Sequence, residues 1–121
     1  DSVNALGLEA TQAAYRDGAD WLAQVNAYLQ DNRDYLAHAL QTRLPGIRMH
    51  LPQSTYLAWL DCTALDIQHP QQFFLNEAKV ALSCGLEFGD DCGQFVRLNF
   101  GCPRPMLEEA LARMERALLN R

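Results

Sequence analysis

Phe95-Val96-Arg97-Leu98-Asn99-Phe100, followed by Gly101-Cys102-Pro103-Arg104 and preceded by Glu87-Phe88-Gly89, sets one arginine inside an otherwise apolar run. Side chains of an extended segment alternate between faces. Val96, Leu98 and Phe100 therefore share one face, and Phe95, Arg97 and Asn99 share the other. The first face is core. The second carries a guanidinium between an aromatic ring and an amide, which suits a carboxylate because the planar fork can make two parallel charge-assisted hydrogen bonds. The competing reading of Arg97 is an internal ion pair with Asp61, Asp90 or Asp91.

Composition narrows the field further. With 121 residues and 49% hydrophobic content, the chain is large enough for one domain with its own core. A formal charge of -5 opposes an electrostatic phosphate-binding surface, so nucleic acid is not an expected partner. No apolar run is long enough to span a bilayer, so no membrane partner is expected either. Cys62, Cys84, Cys92 and Cys102 form no Cys-x-x-Cys pair, and His38, His50 and His69 share no ligand spacing, so no metal site is expected. The cysteines read as reduced and the protein as cytoplasmic. Cys102, two residues from Arg104, is a candidate for a lowered thiol pKa.

Outward from the arginine strand, the pattern predicts helices at Ala5–Tyr15 and from Asp20, as N-cap, to Leu44. Leu22, Val25, Leu29, Leu36 and Leu40 form the apolar stripe of the second. Short strands are predicted at Ile47–Leu51, Tyr56–Leu60 and Leu86–Phe88, the second apolar on both faces and so interior. A third helix is expected from Pro70 to about Ser83, ended by Gly85. Pro103 and Pro105 open the last, with Glu108 and Glu109 in its first turn and Leu107, Leu111, Met114 and Leu118 inward. Helices, two strands, a helix, two strands and a helix indicate an α+β fold: a small, mainly antiparallel sheet covered by helices, with a long N-terminal helix. The chain opens at Asp1, without methionine, and reads as a piece of something longer.

Five patches carry a resemblance. They are Phe95-Val96-Arg97-Leu98-Asn99-Phe100 with Pro103-Arg104; Gly85-x-x-Phe88-Gly89; Ser54 to Asp61; Ala13-Ala14-Tyr15; and Trp21-Leu22 with Tyr28-Leu29. Together they resemble the C-terminal small domain of fold-type I pyridoxal-phosphate enzymes, in the class I/II aminotransferase superfamily. The subgroup they are most similar to is the cystathionine β-lyases of the MalY/PatB type.

The resemblance implies that residues 1–20 join a large domain and that residues 21–121 form the small one. It implies that Arg97 binds the α-carboxylate of a cystathionine-like amino acid, with Tyr56 lining the entrance and Asn99 bracing the arginine. It also implies pyridoxal phosphate in a homodimeric parent, held by the large domain. The only lysine, Lys79, does not fall where the family places its catalytic lysine, and no Gly-rich turn opens a helix to cradle a phosphate. No residue of this chain is therefore expected to be catalytic, nor the chain alone to bind the cofactor or act as an enzyme. An aminotransferase shares the same domain and arginine. A free-standing α+β binding or dimerisation module, or a ligand-sensing domain using Arg97 for regulation, remains open on the residues alone.

Overall fold

Asn4 opens the first helix, α1 (Ala5–Asp17), its side-chain oxygen accepting the Gly7 N–H at 2.7 Å. Such a cap satisfies a donor that the first turn would otherwise leave free. The structure, a computed structural model, describes residues 3–121. The long helix α2 (Ala19–Arg43) follows after Gly18 alone. Asp20 is therefore not the N-cap; it sits in the first turn, where its charge still suits the helix dipole. Gly18 holds the junction because a Cβ there would stand 2.4 Å from the Ala14 carbonyl oxygen.

Four strands follow: β1 (Arg48–Met49), β2 (Leu57–Asp61), β3 (Ser83–Cys84) and β4 (Phe95–Asn99). Between β2 and β3 lies α3 (Pro70–Phe73), which widens into a π turn over Phe74–Ala78. The chain closes with α4 (Arg104–Leu119). The sheet order is β1-β2-β4-β3, antiparallel throughout, with Trp59 opposite Arg97 on one side of β4 and Ser83 opposite Arg97 on the other. The fold is the expected α+β layer, and the arginine strand is interior.

Alternation works as predicted along β4. Val96, Leu98 and Phe100 are buried with Ala58 and Leu60 of β2 beneath the helices, joined by Leu36, Leu40, Phe74, Leu107, Leu111 and Met114. Each large side chain buried there contributes about 1.5–3 kcal/mol, so this face dominates the stability. The predicted stripe of α2 is buried only in its second half, at Asn32, Leu36, Ala39 and Leu40. Leu22 is exposed, Val25 and Leu29 are half-buried, and α1 buries nothing.

The largest departures from the sequence reading fall in the second half of the chain. The third helix ends at Ala78, because Lys79 adopts a left-handed conformation (φ 56°, ψ 38°) and donates its N–H to the Phe74 carbonyl, closing the π turn. That turns Val80–Leu82 toward the sheet, so the edge strand is Ser83–Cys84 and not Leu86–Phe88, which lies on a 3-10 turn beginning at Gly85. Gly85 caps nothing: a Cβ would meet the carbonyl oxygens of Cys92 at 2.0 Å and Phe95 at 2.5 Å, so only glycine lets this turn lie against β4. Last, α4 starts at Arg104, which leaves Glu108 and Glu109 past its first turn; Glu109 pairs instead with Arg113 at 2.7 Å.

The patterning gave no notice of Asn32. It is fully buried, and its Nδ2 donates to the carbonyls of Phe100 and Cys102, both at 2.9 Å. Its Oδ1 accepts from Nε of Arg104 at 2.8 Å, while the Arg104 guanidinium lies over the Tyr35 ring at 4.5 Å and its backbone N–H donates to the Tyr28 hydroxyl at 2.6 Å. Asn32→Ala leaves two strand-exit carbonyls without their donor and is expected to cost about 2–4 kcal/mol, read from the urea unfolding midpoint.

Candidate functional site

The sheet face opposite the core is where the charged strand residue emerges. Arg97 is half-buried, flanked across the strands by Trp59 and Ser83. One Nη2–H donates to Ser83 Oγ at 3.3 Å, and the guanidinium carbon stands over the Phe88 ring, 4.6 Å from its centroid. Trp59 meets Phe88 edge-on and stacks on Phe95, both at 5.5 Å. Among the described residues no carboxylate forms an ion pair with Arg97. Asp61, one of the acids that could have neutralised it, is turned to Thr63, whose backbone N–H it accepts at 2.9 Å. The geometry is that of a fixed, uncompensated cation in an aromatic frame, able to take a planar anion through its N–H edges.

Tyr56 and Asn99 are engaged at the end of the strand. Tyr56 precedes β2 rather than lying in it; its carbonyl accepts the Phe100 N–H at 2.9 Å, and its ring lines a cleft of about 540 Å³ with Leu22, Val25 and Leu29 of α2. The Asn99 Oδ1 accepts the Gly101 N–H at 2.8 Å, an Asx-type turn that ends the strand. Neither hydrogen-bonds Arg97. The structure gathers Ser83, Phe88, Trp59 and Phe95 around it instead. Of these, Trp59 was available from the alternation Leu57, Trp59, Asp61, whereas Ser83 and Phe88 depend on a turn that no periodicity announces.

The remaining titratable groups stay outside this face's chemistry. Burial raises the Cys102 thiol, only partly offset by a hydrogen bond from the Leu107 N–H, so the nearby arginine does not activate it. Burial pushes Cys62 up to about 12. All four cysteines are free thiols, and no helix among the described residues is long and apolar enough to cross a membrane.

The family described as aminotransferase class I and II matches residues 2–114. The chain belongs to that family. MalY of Escherichia coli is 41% identical over 97% of this chain and 30% of its own length. Cystathionine beta-lyase PatB of Bacillus subtilis is 36% identical over 96% of the chain and 30% of its length. A solved structure of the PLP-bound C-S lyase from Staphylococcus hominis superposes with a TM-score of 0.90 at 33% identity, over 98% of this chain and 32% of that one. The chain thus spans about 30% of the length of the curated relatives it matches.

The side chains of these residues do not fit pyridoxal phosphate by themselves. Lys79 is exposed and lines a cavity with Leu82, Leu98 and Leu107, residues of the core side, away from Arg97's face. Among the described residues no lysine stands on the arginine face to hold the cofactor covalently.

Asp61 offers a test of this face's electrostatics. Hydrogen bonds from the Thr63 side chain and backbone N–H hold its carboxyl below its ordinary value, with the Arg48 charge adding to them. A depressed folded-state pKa stabilises the fold fully above the unfolded value of 3.8 and loses that contribution as pH falls through the folded value. The difference in urea midpoint between wild type and Asp61→Ala is therefore expected to be steady from pH 7 to about pH 5 and to shrink at more acid pH.

Proposed function

We propose that this chain is the C-terminal part of a pyridoxal-phosphate-dependent carbon-sulfur β-lyase of the cystathionine type, and that Arg97 binds the α-carboxylate of its amino-acid substrate. Residues 21–121 form the small domain and residues 1–20 the junction with a large domain, which supplies the cofactor's lysine. The parent is a homodimer, and the four free thiols of this chain suit the cytoplasm. The observation that carries the reading is the state of Arg97: held on an interior strand, half-buried, and without an ion-paired acid among the described residues. The names of the relatives support the lyase class, and the exposed position of Lys79 supports a division of labour in which this part is inactive alone.

Within that division the arginine's work is binding and orientation. It grips the carboxylate end, which sets the direction of the bonds at the substrate's α-carbon. Because the contact exists in the ground state and the transition state alike, its loss raises KM, and kcat falls to the extent that orientation is lost. In the full-length enzyme Arg97→Ala is expected to lower kcat/KM for cystathionine by about 2–5 kcal/mol, as when one member of a matched charge pair is removed. Pyruvate release measures it. An unchanged kcat/KM refutes the role of Arg97, and amino transfer to a 2-oxo acid without pyruvate release refutes the lyase.

A further inference from the structure

A mobile arginine is a poor carboxylate receptor, since about 2 kcal/mol of side-chain rotamer freedom opposes its use. An acidic neighbour would restrain it but would also compete for the N–H groups that the ligand needs. Phe88 restrains it in another way. Its ring lies against the guanidinium carbon at 4.6 Å and offers no lone pair in the plane of the fork. The cation is ordered and remains unneutralised.

Phe88 is itself held from two sides. Its N–H donates to the Gly85 carbonyl at 2.8 Å, and Trp59 packs an edge against its ring at 88°. Yet Phe88 is 49% exposed, so it is not a core residue that happens to touch an arginine. We propose that Phe88 is the positioning residue for Arg97, setting the guanidinium in its carboxylate-binding pose with the help of the Ser83 hydroxyl. This rests on the reading of Arg97 as the carboxylate ligand.

The test uses the full-length enzyme and two substrates, a cysteine S-conjugate and its α-carboxamide. Phe88→Leu keeps apolar bulk and removes the aromatic face. It is expected to raise KM for the acid by about 3-fold to 30-fold with kcat within about twofold, and to leave KM for the carboxamide little changed. Phe88→Tyr, which keeps the face, is expected to stay within about twofold of wild type. A merely structural role would weaken acid and carboxamide alike, and that result overturns the proposal. If Phe88→Leu does not fold, Phe88→Met carries the same comparison. Unchanged acid KM in Phe88→Leu, alongside a raised KM in Arg97→Ala, overturns the proposal and leaves the role of Arg97 standing. An unchanged KM in Arg97→Ala overturns both.

Discussion

The Asn32 amide uses both of its donors on the Phe100 and Cys102 carbonyls and accepts from Arg104, so that the middle of α2 is tied to the exit of β4. A slip of one residue would exchange the two faces of β4. Val96 and Leu98 would then lie in the open and Arg97 would enter the core. A buried polar group costs little when every partner is present and much when one is missing, so this network stabilises one alignment over its neighbours. The start of α4 joins it through Arg104.

With register set, the sheet separates two kinds of physics. One face is closed by helices and stabilised by burial that needs no charge. The other keeps a cation in an aromatic frame within a chain whose formal charge is -5. Among the described residues no carboxylate neutralises it, although several are close enough in sequence to have been recruited. Asp61 illustrates why they are not: its backbone and hydroxyl donors at Thr63 satisfy it locally.

The sequence was most legible where a period repeats over several residues. Val96, Leu98 and Phe100 against Phe95, Arg97 and Asn99 gave the strand and its two faces, and Leu107, Leu111 and Met114 gave the inner side of α4. It was least legible where a single backbone conformation overrides a pattern. Nothing in Phe74–Ser83 tells that Lys79 takes a left-handed turn, since lysine is an ordinary helix former, and so the helix was read too long and the edge strand too late. Tyr56 and Asn99 are near Arg97 in sequence or on a face, yet the hydrogen bonds they make are local to the end of the strand: the Tyr56 carbonyl accepts from Phe100 and the Asn99 amide oxygen from Gly101. The first half of α2 shows the reverse case: a clear apolar stripe that is only half covered at Val25 and Leu29 and exposed at Leu22.

Gly85 closes one sequence position to every other residue, since any side chain there would overlap two carbonyl oxygens. Leu86 and Glu87, the next two positions, point into solvent and are exposed. Variation in this turn is thereby channelled: mutation can alter the chemistry displayed along the rim while the backbone that carries the aromatic ring stays where it is. A position that only glycine can fill thus stands beside two whose side chains are free to change without moving the backbone.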